Sequence, residues 1–274
     1  MSQLTNSQLV QYYRQVLLPE VEETGQLKLL AQHVLIVGVG GLGTHCAQQL
    51  SAAGIGHLHL MDDDVIEASN LPRQILFSPK DIGQTKVTAA QFQLSKLSGK
   101  LNVSTYLNLF TSETMQNLLQ SNKILQMAIQ QKQFTVLDCS DNMLTRQAVN
   151  AWCVSNKVPL ISASISANDG QLLLIDPIKT PQQGCYRCIF TEQNTSNTCA
   201  EMGVLGPSVG VMASMQSLLA LQHILNIAET TQPLHIFDGR NLSWRKLARH
   251  SDPNCPVCQK STPIVTTNEE HKSC

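Results

Sequence analysis

Apolar residues along the chain alternate between short β-branched runs and longer stretches with a period near 3.6 residues. The run His33–Val37 reads as a buried strand that stops at Gly38, and a helical pattern follows as far as Ala53, where Gly54 and Gly56 end it. A strand at His57–Met61, a helix at Thr85–Leu97 and a strand at Val103–Leu107 continue the rhythm. A helical pattern lies within residues 112–130, then a buried strand at Phe134–Cys139, a helix at Asn142–Asn156 and a strand at Val158–Ala163. Strands alternating with helices predict an α/β fold: a Rossmann-like, doubly wound, mainly parallel sheet. Ahead of it, residues 1–30 read as one moderately amphipathic helical stretch.

The second half changes character. Gln171–Ile175 reads as a strand, a cysteine-bearing stretch starts at Gly184, and residues 191–198 form a polar, non-periodic crossing segment. A long apolar helix over Ser208–Ala228 leads to strands at Leu234–Phe237 and Ser243–Leu247, predicting an antiparallel C-terminal extension of the sheet. Residues 1–258 are expected to form one domain and residues 259–274, mostly polar, a disordered tail.

Charge narrows the function. Nineteen Lys and Arg against twenty Asp and Glu leave a net charge of -1, without the basic surplus that a nucleic-acid partner calls for. No run approaches eighteen uninterrupted apolar residues, and the N-terminus lacks the basic start and apolar run of a secretory signal, so a cytoplasmic protein with no membrane span is expected. Nine cysteines, an odd number in a reducing compartment, argue against a disulfide framework.

Gly38-x-Gly40-x-x-Gly43 follows a strand and opens a helix, the context in which this pattern marks a nucleotide site. Such glycines permit a tight turn and close approach to phosphates, and the helix N-terminus attracts their charge. Asp62, at the end of the next strand, is placed to accept hydrogen bonds from a ribose. Taken alone the turn suggests NAD. Arg73 and Lys86, however, bring two cations to the same rim, and Asp64 and Asp141 supply carboxylates that could share a Mg²⁺ ion with phosphate oxygens. Together they favour ATP. An NAD(P)-dependent oxidoreductase stays as the alternative from another class, and a zinc-stabilised binding module as a third.

Cys185-x-x-Cys188 and Cys255-x-x-Cys258 are separated by 66 residues. Each spacing presents two thiolates from one turn, and two such turns complete a tetrahedral, closed and therefore structural Zn²⁺ site. Cys139 and Cys153 fall on apolar periodic positions and read as core. Cys46 and Cys274 receive no role.

The ordered set Tyr13-Arg14-Gln15, GVGGLG, DDDVIEASNLPRQ, Lys86, DCSDN at 138–142 and GCYRC at 184–188 resembles the ubiquitin-activating-like adenylyltransferases of bacteria, the ThiF/MoeB/HesA family. These activate small ubiquitin-like sulfur-carrier proteins for thiamine or molybdopterin synthesis, and GQLLLIDP, GVLGPSVGVM and HIFDGRNLSWRKL resemble the thiamine branch most. The resemblance, over about residues 10–258, implies ATP-dependent adenylylation of the carrier's C-terminal carboxylate, preparing it for thiocarboxylate formation; the molybdopterin branch is the alternative. It implies that Gly41 and its neighbours approach the phosphates, that Asp62 holds the ribose, and that Ser69, Asn70, Arg73, Gln74 and Lys86 line the phosphate site. Asp141 would bind magnesium with Asn142 beside it. Arg14 would reach the site of the partner subunit in a homodimer, and Cys199, within the polar crossing segment's end, would join the carrier covalently during transfer of sulfur from a donor protein. Pro72 departs from the family's usual SNLQRQ run and removes an amide side chain and a backbone donor there.

Overall fold

The computed structural model describes residues 3–97, 101–191 and 203–259. Cys199, most of the polar crossing segment and the tail beyond Gln259 lie outside the described residues. The N-terminal stretch is two helices, α1 (Asn6–Val16) and α2 (Glu22–Leu30), rather than one. Pro19 sits in the turn between them, where its ring and missing N–H end the first helix.

The alternation then follows as expected: β1 (His33–Val37), α3 (Gly41–Ala53), β2 (His57–Met61), α4 (Lys86–Leu97) and β3 (Asn102–Tyr106). The pattern at 112–130 divides into α5 (Ser112–Ser121) and α6 (Lys123–Gln130). Asn122 causes the break: its extended backbone ends α5, and its side chain accepts from the Leu125 N–H at 3.0 Å to start α6. Next come β4 (Phe134–Asp138), α7 (Met143–Ser155), β5 (Leu160–Ser166), β6 (Asp169–Ile175), the short α8 (Tyr186–Ile189), α9 (Gly206–Leu225), β7 (Leu234–Asp238) and β8 (Ser243–Leu247).

The eight strands form one sheet in the order β3-β2-β1-β4-β5-β6-β7-β8, parallel through β5 and antiparallel from β5 to β8. Strand order reverses beside β1, so a crevice opens beyond the carboxyl ends of β1 and β4, where doubly wound sheets bind ligands. Both faces are buried. Val34, Ile36, Leu58 and Leu60 join the core under α3 and α9, while Leu35, Val37, Val136 and Phe134 join the core under α6 and α7. By length and composition α9 is apolar enough to cross a membrane, unlike the sequence expectation, yet it packs on α3 and β5 and buries Gln216 completely.

Three histidines share the base of the sheet. The rings of His33 and His57 stack at 4.0 Å, His33 Nδ1 lies 3.1 Å from His59 Nε2, and His59 Nδ1 lies 3.1 Å from the Tyr106 hydroxyl. Burial, aided by mutual repulsion, pushes His33 down to about 4 and His59 down to about 3. Both are neutral in the folded chain at pH 5, whereas unfolding lets them take up protons. Their contribution to stability is complete above the unfolded value near 6.5 and is lost as pH falls from there toward 4. Denaturant midpoints should therefore fall between pH 6.5 and 4.5, and a His33→Gln/His59→Gln chain should show a flatter profile over that window.

Candidate active site

The crevice is a cleft of about 770 Å³. Its floor is the turn from β1 into α3. Gly38 takes a left-handed backbone (φ 87°), and a Cβ on Gly43 would lie 2.0 Å from the Gly38 carbonyl oxygen, so only glycine lets α3 come this close. No side chain caps α3, whose N-cap is Gly40. The first-turn N–H groups consequently remain available to an anion and carry the positive end of the helix dipole. Gly38, Gly40 and Gly41 line the cleft as expected, whereas Gly43 serves the packing beneath it.

Asp62 closes the turn from β2. One carboxylate oxygen accepts from the Val39 N–H at 2.6 Å and the other from the Asp64 N–H at 2.8 Å. Burial raises its pKa above the ordinary carboxylate value, opposed by Lys86 and by those two N–H groups. Lys86, at the start of α4, is buried and points back to the same place: its Nζ is 2.6 Å from Asp64 and 4.0 Å from Asp62. The ammonium is thus held by carboxylates already, and a phosphate reaching it would share or displace the exposed Asp64.

A short helical turn at Ala68–Asn70 supplies the opposite wall. Asn70 accepts from the Glu67 N–H at 3.2 Å, and Arg73 Nη1 donates to the Ser69 carbonyl at 2.9 Å, which holds the guanidinium over the cleft. Gln74 is buried against the floor and its Oε1 has no hydrogen-bond partner among the described residues. Pro72 lies in the following turn, where its carbonyl packs against Gly206 at the start of α9.

The end of β4 completes the cleft with Asp141, exposed, and Asn142, which caps α7 by accepting from the Thr145 N–H at 2.9 Å. Asp62, Asp63 and Asp64 bring carboxylate oxygens within 4.8 Å of one another; Asp141 is outside that group. The loop is braced from below by residues to which the sequence reading gave no role, two of them, Asp138 and Ser140, within its DCSDN motif. Asp138, fully buried, accepts from the Ser140 hydroxyl at 2.6 Å and the Ser162 hydroxyl at 2.7 Å, with Arg146 Nη1 at 3.9 Å. Arg146 also donates to the carbonyls of Ser140 and Ala163. From α9, Gln216 donates to the carbonyls of Asp138 (2.9 Å) and Ile161 (3.0 Å), and its oxygen faces the thiols of Cys46 and Cys139, both at 3.4 Å.

Arg14 is not in this cleft. It is exposed on α1, whose Tyr12 and Gln15 abut Gly54 and the Ala53 carbonyl at the C-terminal end of α3. Thirteen helical residues, about 20 Å, separate that end from the phosphate-facing end.

The four paired cysteines do meet. Their sulfurs lie within 4.8 Å of one another, with Cys185 to Cys255 at 3.7 Å and Cys188 to Cys258 at 3.4 Å. A tetrahedral Zn²⁺ with bonds of about 2.3 Å calls for sulfurs about 3.8 Å apart, so the set fits a closed structural site. Asn150 donates to Cys185 at 3.4 Å and the Asp252 N–H to Cys188 at 3.3 Å, the outer hydrogen bonds such a site needs. Arg249, buried beside it, donates to the carbonyls of Leu174, Gly184 and Gln232 and ties the C-terminal segment to β6.

Residues 12–257 match the ThiF family. The chain belongs to that family. It is 39% identical over 256 residues to the sulfur carrier protein ThiS adenylyltransferase of Escherichia coli (strain K12), covering 93% of this chain and 97% of that protein. It is also 37% identical over 270 residues to the adenylyltransferase and sulfurtransferase MOCS3 of Drosophila persimilis, covering 97% of this chain but 56% of that one. Among solved structures, E. coli MccB with MccA-N7isoASN superposes with a TM-score of 0.75 at 24% identity, covering 93% of this chain and 76% of MccB. PaaA gives 0.73 at 19%, covering 92% and 76%, and both likenesses speak for the fold alone. As a ThiF-family chain the protein is an adenylyltransferase, which sets aside the oxidoreductase alternative.

The four-cysteine cluster predicts about one zinc per chain in the purified protein. Cys188→Ser and Cys258→Ser should then each lose the metal and melt on the order of 5–10 °C lower, because ligation and local folding are coupled. Metal analysis and a melting curve on the same preparations check this, and freshly reduced protein without zinc would refute it.

Proposed function

We propose that the protein adenylylates the C-terminal carboxylate of a small, ubiquitin-like, ThiS-like sulfur carrier, preparing it for the thiocarboxylate of thiamine thiazole synthesis. The observation that carries this reading is the convergence, in one cleft, of an uncapped helix N-terminus with Asp62, Lys86, Arg73 and Asp141. The likeness to the E. coli ThiS adenylyltransferase over nearly its whole length supports the choice of carrier. The MOCS3 relatives favour one second reading, a molybdopterin-type carrier on the same chemistry.

In this reading a carrier carboxylate oxygen attacks the α-phosphorus of ATP, the bond to the β-phosphate oxygen breaks, and pyrophosphate leaves with that electron pair. The chain does no covalent work in this step. Its N–H groups at the start of α3, with Arg73 and Lys86, position the triphosphate and neutralise charge on it. Asp62 holds the ribose, and Ser69, Asn70 and Gln74 fill the wall around the phosphates. Asp141 with Asn142 beside it, and Asp64 on the acidic side of the cleft, would be the residues to hold magnesium, which would supply further positive charge against the phosphate oxygens. A persulfide on a donor protein would then attack the carrier's carbonyl carbon and expel AMP; the Cys199 thiolate would displace the donor's thiolate to hold the carrier as an acyl disulfide, and a second thiol would release the thiocarboxylate and leave a disulfide.

Homodimerisation belongs to the same proposal. The anchoring of α1 at the far end of α3 supports a role for Arg14 in a second copy's cleft rather than its own.

ATP–pyrophosphate exchange with purified carriers tests the reading. Exchange should appear with a ThiS-like carrier, and exchange only with a molybdopterin-type carrier would transfer the protein to the second reading. Lys86→Ala should reduce it by about 10²–10³-fold, as expected when a charge that stabilises the transition state is removed. Arg14→Ala mixed with Lys86→Ala should recover part of the activity lost in each alone, since one composite site regains both wild-type residues. Cys199→Ser should keep near-normal exchange and lose thiocarboxylate formation, read by the mass of the carrier.

A further inference from the structure

A second cavity, of about 350 Å³, opens at the other end of the sheet, where β1, β4 and β5 begin. β4 has five residues, so this cavity lies about 13 Å or more beneath the loop that carries Asp141. Phe134, Val158 and Ile224 give it an apolar floor, and four lysines rim it from four separate segments: Lys28 on α2, Lys132 before β4, Lys157 before β5 and Lys179 after β6. Asp176 is the acidic residue lining it, and one oxygen of its carboxylate is engaged by the backbone. One oxygen accepts from the N–H groups of Ile178 and Lys179, each at 2.9 Å, and the other lies 3.8 Å from His223 Nε2. That separation is too long for a hydrogen bond. Burial lowers His223 to about 4, so its imidazole is neutral at pH 7.

Backbone geometry singles out the same place. Among the described residues six non-glycine residues have positive φ, and three of them line this cavity: Lys132 (58°), Lys157 (55°) and Asn226 (62°). Lys132 and Lys157 each follow the C-cap of a helix, α6 and α7, the position where glycine is the ordinary occupant. A lysine near a helix end gains from the partial charge of the last carbonyls. A lysine one turn earlier gains the same without a left-handed backbone, so the helix dipole does not account for this placement. Three of the six left-handed non-glycine residues among the described residues thus line one cavity, which makes it a place to look for function.

We propose that this cavity binds a small organic anion, an apolar body bearing a carboxylate, sulfonate or phosphate, held by Lys132 and Lys157 above the floor of Phe134 and Ile224. The site is separate from the nucleotide cleft and independent of the adenylylation reading. Lys179 steadies its wall by donating to Asn226 Oδ1 at 2.6 Å.

Fluorescence titration of the full chain with 8-anilino-1-naphthalenesulfonate, with and without ATP, tests this. One saturable site is expected, with the same affinity in both conditions, and the uncharged N-phenyl-1-naphthylamine should bind at least tenfold more weakly. Lys132→Asn/Lys157→Asn keeps a residue that tolerates the left-handed backbone and should weaken the sulfonate probe at least tenfold with an unchanged melting temperature. Lys28→Glu, on α2 and outside those turns, should also weaken the sulfonate probe with an unchanged melting temperature and guards against a folding defect in the first pair. Absence of a saturable site, equal binding of the uncharged probe, displacement by ATP, or full affinity in both folded variants would overturn the proposal.

Discussion

The approach of α3 to the end of β1 sets the geometry of the whole cleft, because a side chain at position 43 would lie 2.0 Å from the Gly38 carbonyl oxygen and force the helix away. With glycine there, the N-terminal turn of α3 faces the crevice directly. What could otherwise occupy those N–H groups is kept off them. Asp62 takes the Val39 N–H instead, and the N-cap position is a glycine with no side chain to fold back. The result is a preformed anion seat whose charge comes from the backbone and whose alignment comes from packing.

A seat of that kind is useful only if the opposing wall is held in register, and the structure braces it twice. Gln216 pins the carbonyls of Asp138 and Ile161 to α9, so the loop bearing Asp141 moves with the helix that also packs on α3. Arg249 and the four-cysteine cluster bind the C-terminal segment to β6 and to the stretch before α8. Both braces bury polar groups that are satisfied through backbone carbonyls, which rigidifies rather than merely stabilises. The electrostatics follow the same logic: Lys86 lies in the cleft paired with Asp64, its charge compensated by that carboxylate.

Much of this was legible along the chain because the signals are local. Strand and helix alternation, the glycine turn, the acidic end of β2 and both cysteine pairs each lie within a few residues of sequence. The misread boundaries are also local, but they depend on single residues that interrupt a continuing pattern: Pro19 between α1 and α2, and Asn122 between α5 and α6. Gln216, Arg146 and Arg249 were not legible for a different reason. Gln216 acts on residues 55 and 78 positions away, and Arg249 on residues 65 and 75 positions away. A polar residue inside an apolar pattern carries no record of such a distant partner. The pairing of Lys86 with Asp64 was hidden likewise, since Lys86 read as a partner of phosphate and Asp64 as a ligand of magnesium.

The central claim is that this cleft joins a carboxylate to the α-phosphate of ATP. It is tested most directly by isotope transfer from a ThiS-like carrier labelled with ¹⁸O in its C-terminal carboxylate. Attack by that carboxylate makes a labelled oxygen the bridge to phosphorus, and later attack at the carbonyl leaves it on AMP. The account predicts AMP heavier by one ¹⁸O, formed in step with consumption of the carrier. AMP that carries only ¹⁶O, or ADP as the product, would contradict it.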